Sequence, residues 1–139
     1  MTPFASYHQF TETRDMSTAE QSANGSGRIL VFAGSLCGAA GVALSAAAAH
    51  LGGAFVSTAA SFLLMHAPVF LAVGLVGANR ILRTASLILL VGLVLFCGDL
   101  LARDFLGSRL FPMSAPIGGT LLIAGWLAVA ASALVRPRS

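Results

Sequence analysis

Residues 29–79 read ILVFAGSLCGAAGVALSAAAAHLGGAFVSTAASFLLMHAPVFLAVGLVGAN, 51 consecutive positions without Asp, Glu, Lys or Arg. A membrane-crossing helix needs about 20 apolar residues to cover a hydrocarbon core of about 30 Å. The stretch therefore has room for two such helices and a turn. The turn falls at His50-Leu51-Gly52-Gly53, because paired glycines interrupt a helix. Further along the chain, Arg80 and Arg83 end the run, and Thr84–Gly98 is uncharged again. Asp99, Arg103, Asp104 and Arg109 form a second polar interval, followed by uncharged sequence as far as Arg136. This pattern predicts four spans, at about 29–50, 57–77, 84–101 and 117–135. The apolar runs are continuous, whereas a transmembrane strand would alternate with period 2. Helices also satisfy their own backbone polar groups, which lipid cannot do. The expected fold is all-α: an up-down bundle of four transmembrane helices.

Composition supports the same class. Of 139 residues, 57% are hydrophobic and 9% charged, against about 25% charged in a typical soluble domain. Thirteen charges are too few to cover a water-soluble globule of this size, which argues against a soluble enzyme. The net charge of +3 comes from scattered Arg with no like-charge run, so no nucleic-acid partner is expected. The expected surroundings are the lipid bilayer. Residues 1–28 differ in kind: they are polar and turn-rich, and read as a disordered N-terminal tail preceding a transmembrane domain at 29–139. Phe4, Tyr7 and Phe10 are that tail's main apolar residues, a patch for the membrane surface or a partner. Met16 is an alternative start. Ala47-Ala48-Ala49 after an apolar run resembles a signal-peptide cleavage site, but the run of about 22 residues exceeds the usual ~7–15, so a retained span is expected.

Orientation follows from the arginines. With both termini cytoplasmic, Arg14, Arg28, Arg80, Arg83, Arg136 and Arg138 lie inside and Arg103 and Arg109 outside. Six against two fits the positive-inside rule. His50 then ends span 1 at the outer side, His66 lies about nine residues into span 2, and Asp99 is near the outer end of span 3. Polar residues inside a span are costly and mark candidate sites. Each also has a plain structural role available: capping for His50, a carbonyl freed by Pro68 for His66, and an i,i+4 pair with Arg103 for Asp99. Trp126, about nine residues into span 4, sits away from the interfacial belt and needs an internal acceptor for its indole N–H.

Gly34 and Gly38, followed by Gly41, Ser45 and Ala49, form a small-residue stripe that permits close helix approach. Pro116, Gly118 and Gly119 thin the start of span 4 opposite His50 or Asp99. The two histidines differ in depth, which argues against a haem, and the Met, Cys and His residues lack metal-ligand spacing. No cofactor and no metal site is expected. Cys37 and Cys97 differ in depth and read as separate buried thiols. No nucleophile–base pair or phosphate-binding loop is visible, so no enzyme is expected.

Taken in order, Ala49-His50, His66-Ala67, Phe96-x-Gly98-x-Leu100, Pro116-x-Gly118-Gly119 and Gly125-Trp126 resemble the small membrane proteins of domain of unknown function family 423. The resemblance covers about residues 34–134. It implies a four-helix protein of the bacterial inner membrane, with a eukaryotic transmembrane relative, and leaves activity open. The stretch between the histidines is shorter than usual in that family, and Asp99 stands where Ser is usual. The leading expectation is a non-enzymatic accessory or assembly subunit, in contact with a membrane-protein partner or a second copy of itself. The alternative is a small transporter or ion pathway using His66 and Asp99.

Overall fold

A computed structural model describes residues 4–76 and 79–134, with side chains described from residue 25 onward. Four helices follow one another: α1 (Phe4–Leu51), α2 (Ala54–Val76), α3 (Arg80–Leu106) and α4 (Ser114–Leu134). Each contains a stretch long and apolar enough to cross a membrane: Gly25–Leu51, Ala54–Val76, Arg80–Leu106 and Ser114–Leu134. The all-α membrane fold read from the sequence is the observed one.

Helix ends depart from the expected spans for identifiable reasons. α3 begins at Arg80 rather than 84 because Asn79 caps it: the Asn79 side-chain oxygen accepts the Leu82 N–H at 2.8 Å. It continues past Asp99 and Arg103 to Gly107, whose left-handed φ of 68° ends it. Charge did not stop this helix, because Asp99 and Arg103 neutralise each other within it. The largest correction concerns the N-terminus. The segment expected to be a disordered tail is helical from Phe4 and continuous with the first span. Neither Pro nor Gly occurs between Phe4 and Asn24, and extending an existing helix avoids the cost of nucleation. The expectation for Phe4, Tyr7 and Phe10 concerns side chains outside the described ones.

The packing follows a pattern that sequence reading only partly caught. Small residues recur every seven positions on each helix: Gly27, Gly34 and Gly41 on α1; Ala60, Ala67 and Gly74 on α2; Ala85 and Gly92 on α3; Gly118, Gly125 and Ser132 on α4. All are buried or partly buried. A seven-residue period keeps one seam facing a neighbour over several turns. In lipid, helices associate through van der Waals packing and hydrogen bonds rather than hydrophobic burial, so small residues that let backbones meet favour pairing. A methyl group added at Gly74 would lie 2.7 Å from the Gly27 carbonyl oxygen, and one at Gly92 would lie 2.9 Å from that of Gly118.

These seams make two closely packed hairpins, α1/α2 and α3/α4, joined less extensively along α2 and α3. The joint is built from larger side chains, including Phe70, Leu93, Cys97 and Leu100. Among the described residues there is no close backbone approach between α1 and α4. The bundle is thus an open row of helices rather than a closed ring, and it leaves a groove between α2 and α4.

Candidate functional site

Two polar clusters lie within the bundle. The first joins α2 to α4. His66 is 4% exposed. Its Nδ1 lies 2.8 Å from the Phe62 carbonyl oxygen, and its Nε2 lies 3.2 Å from Trp126 Nε1. A carbonyl only accepts and an indole N–H only donates. The pair of contacts therefore assigns the tautomer: Nδ1–H donates to Phe62, and bare Nε2 accepts from Trp126. The carbonyl engaged is that of Phe62, not the Leu64 carbonyl that Pro68 leaves without its helical donor. Phe62, Phe70 and Trp126 rings surround the imidazole at centroid distances of 6.0, 6.4 and 5.8 Å. Trp126 finds its acceptor inside the bundle, but the residue is 44% exposed and lines the α2/α4 groove.

That groove measures about 550 Å³. α2 contributes Phe62, Met65 and His66, α3 contributes Phe96, and α4 contributes Gly119 and Trp126 among others. The Phe62 and Phe96 rings meet at 4.7 Å.

The second cluster lies at the end of the bundle that carries the α1–α2 and α3–α4 turns. Asp99 is fully buried. It falls seven residues after Gly92, on the small-residue seam of α3, and so points at α4. Its Oδ2 pairs with Arg103 at 2.6 Å and accepts the Arg103 Nε–H at 2.8 Å. Its Oδ1 accepts the Leu110 N–H at 3.1 Å and the Ser114 hydroxyl. One carboxylate thus closes its own helix turn, ties down the returning loop and fixes the first residue of α4. The i,i+4 pair with Arg103 is present, but it is one of several bonds. Met113, just before Ser114, holds a left-handed φ of 72°, a conformation that costs a non-glycine residue roughly 1–3 kcal/mol and needs its neighbours to impose it.

Asp104, read in the sequence only as one charge of the second polar interval, completes this end. Its Oδ2 accepts the Val56 N–H at 2.7 Å, capping the first turn of α2 from another helix. Gly53, at φ 108°, packs against the same carboxylate. The Arg103 guanidinium lies 5.5 Å from the centre of the Phe55 ring. The signal was positional: up-down packing puts the end of α3 level with the start of α2, where an acidic side chain meets unpaired N–H groups.

The remaining candidates separate. His50 is exposed in the last turn of α1 and joins neither cluster. Gly34 faces α2, where an added methyl would lie 2.9 Å from the Ala67 carbonyl oxygen. Gly38 is at the edge of that seam, with 3.8 Å to the Ala67 Cβ, and the seam continues through Cys37 and Gly41 rather than Ser45 and Ala49. Gly118 meets the Phe96 backbone and the Gly92 carbonyl, not His50 or Asp99. Gly119 borders the groove, and Pro116 is exposed in the first turn of α4. Cys37 and Cys97 are buried free thiols, with Cys97 Sγ 3.7 Å from the Ala59 carbonyl oxygen. Among the described residues, no three of His, Cys, Asp and Glu gather as metal ligands.

The chain is 33% identical over 78 residues to a UPF0382 membrane protein of Haemophilus influenzae. The alignment covers 55% of this chain and 63% of that relative, slightly under two thirds of its length. No solved structure matches. Four membrane-spanning helices and a relative named a membrane protein make this an integral membrane protein. The family model described as "Protein of unknown function (DUF423)" matches residues 37–119, more than half of the sequence, and the chain belongs to that family.

Proposed function

We propose that this protein is a non-enzymatic accessory or assembly subunit of the bacterial cytoplasmic membrane, packing on another membrane protein with both of its termini on the cytoplasmic side. The observation that carries this reading is the bonding of the interior. Among the described residues, no buried side-chain nitrogen or oxygen lacks a hydrogen-bond partner. His66 spends both ring nitrogens on Phe62 and Trp126, and Asp99 spends both oxygens on Arg103, Leu110 and Ser114. A site that moves protons or ions needs polar atoms free to exchange partners. These are committed to holding helices together.

The same bonding weighs against an ion pathway through His66 and Asp99, and Asp99 is not among the residues lining the groove that His66 borders. Phe32, Leu36 and Val42 of α1 are exposed apolar side chains within a span, and this is the face on which a partner would pack. The test is purification in mild detergent after in-membrane photo-crosslinking from Leu36. One membrane protein in fixed stoichiometry is expected. Recovery of only a homo-oligomer, together with an ion flux in vesicles that His66→Phe abolishes, would overturn the reading in favour of transport.

A further inference from the structure

Charge is divided unequally between the two ends of the bundle. Among the described side chains the carboxylates are Asp99 and Asp104, and both lie at the end that carries the α1–α2 and α3–α4 turns. The opposite end carries Arg28 on α1 and Arg80 and Arg83 on α3, with no carboxylate among the described side chains. At this end a second groove, of about 280 Å³, runs between α3 and α4. Its apolar walls are Ile81, Ala85 and Ile88 of α3 and Ala128 of α4, and Arg80 and Thr84 complete the lining. Arg80 is the first residue of α3. Ile88 lies eight residues further on, about 12 Å deeper at 1.5 Å per residue. The groove therefore follows the helix axes from the edge of the span into the hydrocarbon. Thr84 spends its hydroxyl on the Arg80 carbonyl at 3.0 Å. Arg80 is exposed, and its guanidinium has no hydrogen-bond or ion-pair partner among the described residues.

We propose that this groove binds one anionic phospholipid, with its phosphate on Arg80 and the first carbons of one acyl chain along Ile81, Ala85, Ile88 and Ala128. An uncommitted cation at the membrane edge, above apolar walls that continue inward, matches a phospholipid in both chemistry and order of depth. A guanidinium can give a phosphate two parallel N–H donors, and no described carboxylate at this end competes for it. The other occupants fit only half of the site. A peptide laid in the groove would carry unpaired backbone groups into hydrocarbon, and free phosphate would leave the apolar walls empty. The site is defined by the helices themselves, so it holds whichever leaflet this end faces and whether or not the chain has a protein partner.

The experiment is native mass spectrometry of the full chain in detergent, titrated with phosphatidylglycerol and, separately, with phosphatidylcholine. One phosphatidylglycerol is expected to bind in preference to phosphatidylcholine. Arg80→Gln should weaken it about fivefold, the effect of about 1 kcal/mol per basic residue at an anionic lipid surface. Because Arg80 is exposed, this variant reads the site without disturbing the packing. Ala128→Leu, which fills the groove, and Ile88→Ala, which removes a wall, should weaken binding in whichever of them keeps the wild-type helical circular dichroism. Arg28→Gln, at the same end but on α1, should leave it unchanged. Equal binding of the two lipids, unchanged binding in Arg80→Gln, or an equal loss in Arg28→Gln would each overturn the proposal, the last by showing a diffuse basic surface in place of a site. Displacement of the lipid by millimolar inorganic phosphate would also overturn it, by identifying Arg80 as a simple anion site.

Discussion

Asp99 is best understood by what would be left behind if its neighbours were removed. Its charge is fully buried, and Arg103 is the cation that compensates it. Removing one partner of a buried ion pair costs roughly 3–5 kcal/mol, because the surviving charge is stranded. Arg103→Ala should therefore destabilise strongly, by about 3 kcal/mol or more. Adding Asp99→Asn to it should restore part of the loss, since the amide oxygen still accepts from Ser114 and Leu110 without carrying charge. Denaturation in detergent of the two single variants and the double variant measures this; a double variant less stable than Arg103→Ala would refute the argument. The His66–Trp126 bond is weaker. Interhelical hydrogen bonds in membranes average only about 0.6 kcal/mol, so it selects a neighbour more than it supplies stability. Their common depth was legible in the sequence, since each lies nine residues into its predicted span and α2 and α4 run in the same direction, but their pairing was not read from it: His66 was given a carbonyl freed by Pro68 and Trp126 an unnamed internal acceptor. Asp99's set of partners was less legible: Ser114 and Leu110 reach it only because the loop folds back over the end of α3.

At the level of the helix, the seams make a sharp distinction between adjacent glycines. A methyl at Gly118 would lie 2.6 Å from the Phe96 amide nitrogen, and at Gly119 it would find room. Gly118→Ala should separate α3 from α4 and lower the melting temperature. Gly119→Ala should leave it unchanged or raise it slightly, because Ala is the better helix former by roughly 1 kcal/mol. Gly34→Ala and Gly38→Ala should divide in the same way on α1. Equal effects within either pair, read by thermal unfolding, would mean that the seams do not set the spacing. The existence of four helices was readable because uncharged length alone decides it. The choice of face was not, because the chain is apolar on nearly every side and offers no polar stripe to mark the exterior. Glycine spacing was the available signal, and GxxxG reading picked Gly38 where the seven-residue period picks Gly41.

For the whole molecule, six arginines against two favour cytoplasmic termini. A phosphatase reporter, active only outside the cytoplasm, should be silent when fused after Ser139 and active when inserted in the loop at Arg109. The opposite pattern would invert the orientation and place the Asp99 cluster on the inner face. That cluster also fastens the two hairpins to one another at their turn ends, through Asp104 on the α2 N-terminus and Arg103 over Phe55.

The unequal seams have a consequence for how such a protein is made. Each hairpin closes its tightest contacts internally, between helices that leave the ribosome one after the other. α1/α2 can thus enter the bilayer as a finished unit before α3 is synthesised. The connection between Val76 and Arg80 is then the natural place to divide the gene: two separately expressed halves should find each other in the membrane, whereas halves divided at Gly52-Gly53 would each carry a seam with no opposite side.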